Sequence, residues 1–150
     1  MNDLIDGMKT VLGTGFALYL KIHSYHWNLL GEHFPSYHPF FGEMYTAVWE
    51  SLDDIAEQIR QLDAQAPGSM ERFIKLSRIQ GDNTVPPVRQ MMVNLMTDTE
   101  TFITLLTEVL HLAEKADKQG LVNFLAARIE AHSKMRWQLR ATANRLKDTE

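Results

Sequence analysis

His26 and His38 stand twelve residues apart around a short turn, and Asp53 and Glu57 follow four residues apart on one helical stretch. Two imidazoles and two carboxylates make a mixed nitrogen and oxygen donor set suited to Fe(II), Mn(II) or Zn(II). The spacing constrains how such a set assembles. The run from Ser36 to about Ala64 reads as one helix, and at 1.5 Å per residue His38 lies roughly 22 Å from Asp53 and about 28 Å from Glu57. A single straight helix cannot bring those groups onto one ion. A site using all four takes its carboxylates from a second copy of the chain.

The elements that must position these residues are helices. A first helix covers about Asp3 to Leu30, with Leu4, Ile5, Met8, Val11, Leu12, Phe16, Tyr19, Leu20 and Ile22 at three- and four-residue steps, although Gly13 and Gly15 suit a helix interior poorly. Gly31 and Pro35 punctuate the chain. Ser36 is the expected cap of a second helix that carries Phe41, Tyr45, Val48, Leu52, Ile55, Ile59 and Leu62 and ends at Pro67-Gly68. Ser69 caps a short helix with Met70, Phe73, Ile74 and Leu76. Pro86-Pro87 suit the first turn of a third long helix running to about Ala116, and a fourth follows Gly120 through Leu146. The fold class is therefore all-α: a four-helix bundle with a short extra helix in the long crossover between helices 2 and 3. Residues 1–150 form a single domain.

Within that frame the first two helices make an antiparallel hairpin, and the midpoint of positions 26 and 38 falls in its turn. His26 and His38 then face one another at nearly the same level. Asp53 and Glu57 share a face of the second helix. Two copies of that helix, antiparallel about a twofold axis, bring His38 to the partner's Glu57 if they cross near Ala47, a residue small enough for close approach. The geometry closes with two equivalent sites per dimer. Each piece has a plainer reading. A histidine near a helix end is commonly a cap or core residue, and an acidic pair at this spacing is commonly solvated.

Composition sets the outer bounds. Apolar residues make up 45% and charged residues 23%, ordinary for a globular protein. The absence of cysteine excludes disulfides and thiolate zinc sites and fits the cytoplasm. Neither a signal peptide nor an apolar run long enough for a membrane span is visible. A formal charge of −4 gives no general attraction to nucleic acid.

The segment His26-Trp27-Asn28-Leu29-Leu30-Gly31, with Phe34, His38, Phe41, Tyr45 and Asp53-Asp54-Ile55-Ala56-Glu57, resembles the signature of the Dps family of ferritin-like mini-ferritins. Trp137-Gln138-Leu139-Arg140-Ala141 resembles that family's last-helix motif. The resemblance spans essentially the whole chain. It implies a ferritin-like bundle assembled as a homododecamer, with ferroxidase sites at dimer interfaces. Carried over residue by residue, His26 and His38 of one subunit and Asp53 and Glu57 of its partner are the iron ligands. The implied activity is oxidation of Fe(II), preferably by hydrogen peroxide rather than O2, with ferric mineral stored inside. Peroxide taking two electrons from paired ferrous ions releases no hydroxyl radical. Trp27, next to His26, is the expected scavenger of stray oxidising equivalents, its plainer role being a core aromatic at the hairpin end.

The chain departs from the family pattern in two places. Gly42 stands where the family usually offers iron an acidic side chain, and the neighbouring Glu43 points about 100° away. The pore that the family lines with acids here has Asp117 followed by Lys118-Gln119-Gly120, then Asn123, with Glu130 as the remaining acid. Other constellations compete. Glu108-Val-Leu-His111 is a lone Glu-x-x-His match of the kind that builds a di-iron site within one bundle. His23 and His26, with His111 or His132, would suit a mononuclear metal enzyme. Basic residues Arg128, Lys134, Arg136, Arg140, Arg145 and Lys147 would carry any DNA contact, but a dodecamer would hold roughly −48 formal charge, so DNA binding is expected to be weak. Met91, Met92 and Met96 read as core packing.

Overall fold

Apolar side chains that recur every three or four positions fall on one face of a helix, and four such faces bury one another as a bundle. The computed structural model describes residues 1–148, with side chains through residue 144, as α1 (Asn2–Asn28), α2 (Phe34–Gln61), α3 (Met70–Leu76), α4 (Val88–Lys115) and α5 (Gln119–Asp148). The hairpins α1–α2 and α4–α5 pack together, chiefly through α1 against α4, and α3 rests on α1. This is the all-α bundle with a short crossover helix that the sequence pattern predicts. Met8, Val11, Leu18, Ile22, Phe41, Val48, Ile55, Phe102, Leu106 and Leu125 are among its fully buried side chains. Met91 and Met92 join them and Met96 packs alongside, which establishes core packing for that trio. No helix among the described residues is long and apolar enough to cross a membrane. The side chains of Arg145, Leu146 and Lys147 lie outside the described residues.

Several helix ends differ from their expected markers. α2 begins at Phe34, with His33 in the cap position and Pro35 in the first turn, so neither Ser36 nor Pro35 bounds it. Proline suits that turn because its missing N–H would have had no helical partner. Pro39 is carried inside the same helix. Its C-terminus comes well before Pro67-Gly68. Asp63 adopts φ 60° and its N–H donates to the Arg60 carbonyl, while Ala64 N–H donates to the Ile59 carbonyl. α4 ends the same way at Asp117, with φ 53°, so this acid serves as a helix stop. Pro86-Pro87 precede α4, and Gly120 falls just inside α5. Ser69 caps α3 as expected, its hydroxyl accepting from the Arg72 N–H at 3.3 Å.

The two poor helix formers in α1 are explained by close approach. A Cβ on Gly13 would lie 2.8 Å from Leu76 Cβ and 3.4 Å from the Phe73 carbonyl oxygen. One on Gly15 would lie 3.0 Å from Leu52 and 3.4 Å from the Phe102 ring. Glycine therefore lets α3 dock on α1 and lets α2 and α4 close on its other sides. Gly13→Ala gains helix propensity of up to about 1 kcal/mol but overpacks the α3 contact at a cost of about 1–3 kcal/mol. A lower urea midpoint is expected; a higher one would mean that α3 docks loosely.

His132 is the exception in the core, 1% exposed and packed edge-on against Phe102 with ring centroids 4.7 Å apart. Burial, with Arg128 nearby, pushes its pKa down from 6.5 to about 3. The unfolded chain then takes up a proton below pH 6.5 that the native chain refuses until about pH 3. This contribution to stability is complete above pH 6.5 and is lost as pH falls across that window, by up to about 1.4 kcal/mol per pH unit. Urea midpoints of wild type and His132→Leu, taken at one protein concentration between pH 7.5 and 4.5, should diverge on the acid side, with wild type falling faster. Parallel curves would show that the ring is protonated without cost.

A candidate metal centre at the hairpin end

His26 lies in the last turn of α1 and His38 in the second turn of α2, joined by a connection in which Gly31 takes φ +128°. That backbone conformation suits glycine. Leu29 and Phe41 are buried on either side of the turn and set the register of the two helices. The two rings stack with centroids 3.7 Å apart and planes 17° from parallel. His26 Nδ1 lies 2.6 Å from the His38 carbonyl oxygen, and His38 Nδ1 lies 2.8 Å from the His26 carbonyl oxygen. A carbonyl oxygen only accepts, so each Nδ1 carries a proton and donates it. Each neutral ring then keeps its lone pair on Nε2, the nitrogen available to a metal.

Gly42 stands against this pair. A Cβ there would sit 3.2 Å from His26 Cε1 and 3.4 Å from His26 Nδ1. The residue that offers no ligand also gives the His26 ring its place against α2.

Asp53 and Glu57 are exposed on the later turns of α2, as is Asp54, and ligand oxygens of the three lie within 4.8 Å of one another. Asp54 was not singled out in the sequence, although its adjacency to Asp53 marks it. α2 is continuous from Phe34 to Gln61, so the carboxylates stay well over 20 Å along the helix from His38 by helical rise. The structure brings His26 to His38 and Asp53 to Glu57 but does not bring the two pairs together within one chain.

The competing constellations do not assemble. Glu108 is engaged by Arg78 at 2.8 Å, and His111 is exposed and paired with Glu114 at 3.0 Å. His132 is buried in the bundle interior. Among the described residues the Asp53, Asp54 and Glu57 group is the one cluster of three or more such ligands within reach of one ion. On α5, Arg128 and Arg136 are half-buried, and Arg136 lies 3.9 Å from Glu100, so the basic residues whose side chains are described there form no single exposed stripe.

Trp27 is 58% exposed, which rules out its role as a core aromatic. Its ring centroid lies 4.0 Å from that of His23. Burial, with the imidazole of His26 nearby, lowers the His23 pKa. Its Nδ1 lies 3.0 Å from the Tyr19 hydroxyl, and Tyr45 stacks on it at 3.8 Å. Neither tyrosine was picked out from the sequence as part of the site. The four-residue step from Tyr19 to His23 was the available signal.

The profile of the ferritin-like domain matches residues 5–149. The chain is 35% identical over 146 residues to a low temperature-induced protein of Nostoc sp., covering 93% of this chain and 79% of the relative. It is 27% identical over 143 residues to DNA protection during starvation protein 2 of Bacillus anthracis, covering 95% and 98% of the two chains. The crystal structure of the Dps protein of Vibrio cholerae O1, a member of a broad superfamily of ferritin-like diiron-carboxylate proteins, matches with a TM-score of 0.90 and 25% identity, over 93% of this chain and 88% of that one. With a profile that spans nearly its whole length and Dps proteins among both its sequence relatives and its structural neighbours, the chain belongs to the ferritin-like family, as a member of the Dps group.

Proposed function

We propose that this protein stores iron and detoxifies it, oxidising Fe(II) with hydrogen peroxide, or O2, at sites shared between two subunits, and holding ferric mineral in a homododecameric cytoplasmic shell. The observation that carries this reading is the reciprocal lock between His26 and His38. It leaves two adjacent imidazoles with free Nε2 atoms and no carboxylate of Asp53 or Glu57 within reach in the same chain. Asp53 and Glu57 of a partner complete the donor set when two α2 helices cross antiparallel near Ala47. The surface there supports such a crossing: it is a shallow open depression lined by Pro39, Gly42, Glu43, Thr46, Ala47 and Glu50. Thr46 and Ala47 are exposed, so small side chains lie between the two backbones.

Neutral imidazoles and carboxylates together bind the substrate Fe(II) and gain further from the higher charge of Fe(III). Hydrogen peroxide accepts two electrons as its O–O bond breaks; two Fe(II), one H2O2 and two protons give two Fe(III) and two H2O. Trp27 absorbs oxidising equivalents that escape this balance, a role that its exposed position beside His23 supports. DNA is at most a weak partner, given the net charge. One observation favours a second reading, a shell with a degraded iron site in a structural or DNA-associated role: Gly42 provides no ligand beside His26.

Anaerobic loading with Fe(II) followed by peroxide separates the two readings when ferric absorbance and native mass are recorded together. Wild type should oxidise iron at least about tenfold faster than His26→Ala and Asp53→Asn, each variant having lost a ligand of the same site. All three should keep a native mass near that of a dodecamer. An intact shell whose oxidation rate matches that of its variants would favour the second reading, and a small oligomer would remove the shell from both.

A further inference from the structure

A third imidazole at this end of the hairpin is used by none of the chemistry above. Tyr45 stacks on His23 with centroids 3.8 Å apart and planes 9° from parallel, and Trp27 lies 4.0 Å away at 35°. Two rings that close to one centroid must cover opposite faces. The His23 Nδ1 is left in the plane of the ring, 3.0 Å from the Tyr19 hydroxyl. The rings continue to the metal ligands: His26 lies 5.1 Å from Tyr45 and 5.9 Å from His23, and Tyr19 lies 6.1 Å from Tyr45, all between centroids. Tyr19 and His23 are half-buried, so a radical formed there is partly shielded from solvent.

We propose that Tyr19, hydrogen-bonded to His23, is a one-electron donor to the reduction of peroxide at the neighbouring iron site. This rests on the ferroxidase reading and addresses an electron count that the reading leaves open. On that reading two histidines and two carboxylates suffice for one Fe(II), and Gly42 adds no ligand for a second beside His26. One Fe(II) supplies one electron, whereas cleaving peroxide to water and hydroxide requires two. With a single electron the other product is hydroxyl radical.

Tyr19 supplies the missing electron through the ring ladder. Its O–H bond breaks, the proton moves to His23 Nδ1, and a neutral phenoxyl radical remains. The balance is Fe(II), Tyr–OH and H2O2 giving Fe(III), Tyr–O•, OH− and H2O, once His23 has returned its proton to the oxygen products. A base on the phenol is what makes the step accessible, because a phenol that loses an electron and keeps its proton becomes a high-energy cation. A second Fe(II) reduces the radical, with one proton restoring Tyr–OH. Over the cycle two Fe(II) are oxidised per peroxide, with no second metal position required.

The test uses the assembled protein, loaded anaerobically with one Fe(II) per site, mixed with hydrogen peroxide and freeze-quenched for electron paramagnetic resonance. Ferric absorbance is read on the same samples, and a hydroxyl-radical spin trap is run in parallel. Wild type should show a radical whose signal narrows when the protein carries ring-deuterated tyrosine. The signal should fall at least about tenfold in Tyr19→Phe and in His23→Gln, which keeps the phenol but removes the base. Trapped hydroxyl radical should rise several-fold in both variants. Ferric formation with an undiminished tyrosyl signal in Tyr19→Phe, or a wild-type signal that tyrosine deuteration leaves unchanged, would overturn the proposal and leave the ferroxidase intact. Wild type that forms no ferric iron would remove both. Should Tyr19→Phe fail to assemble, the deuterated wild type and His23→Gln decide the matter.

Discussion

Two hydrogen bonds, each from an imidazole on one helix to a backbone carbonyl on the other, fix everything at the hairpin end. His26 and His38 hold one another by exchange of Nδ1–H donors across the turn. Each bond contributes only about 1 kcal/mol net, so they do not hold the bundle together. They select which nitrogen is protonated, which way each ring faces and how close the rings lie. Both bonds require α1 and α2 to keep their register, and that register comes from the buried packing of Tyr25, Leu29 and Phe41. Core packing thus determines the ligand geometry, and Gly42 leaves room for it.

A polar network at the same level ties the crossover to the hairpin. Lys21 Nζ bridges to Asp98 at 2.8 Å and donates to the Gln80 carbonyl at 3.0 Å. Burial raises the Asp98 pKa even though Lys21 pulls it down. The Tyr25 hydroxyl donates to Asp82 at 2.6 Å and accepts from Asn94 at 3.0 Å. Hydrogen bonds from Thr84 and Tyr25 hold the Asp82 carboxyl down at about 2, and burial pushes the Tyr25 phenol above its ordinary range. An otherwise irregular loop is fastened to α1 and α4 by groups that would be costly to bury unpaired. The last turns of α1, which carry His23 and His26, inherit that rigidity.

Most of the fold was legible because it rests on one signal, apolar residues at a 3.6-residue period, repeated through four long stretches. The positions of His26 and His38 followed from the hairpin alone. What escaped was governed by local chemistry that periodicity does not report. Asp63 and Asp117 stop α2 and α4 in a left-handed conformation usually reserved for glycine, so Pro67-Gly68 looked like the boundary and was not. Pro35 looked like a break and lies in the first turn of a helix that also carries Pro39. Gly13 and Gly15 looked like defects, because the close contacts that require them come from distant parts of the chain. The ring ladder around His23 was hidden for a related reason. Tyr19 and His23 are neighbours by helical spacing, but Tyr45 reaches them only through tertiary packing.

α2 has the character of a measuring rod. It carries histidine near one end and carboxylates near the other, on a single uninterrupted helix. For sites shared about a twofold axis, the rod's length sets the separation of the two halves, and its pitch sets the face on which each lies. One residue inserted between His38 and Asp53 would turn the carboxylates by about 100° and move them about 1.5 Å. Such an insertion would spoil both sites of a dimer at once, although each ligand would keep its identity and local surroundings. A substitution along the middle of α2 acts where its own side chain packs, as at Gly42 or Val48. A change in residue count acts on every ligand beyond it.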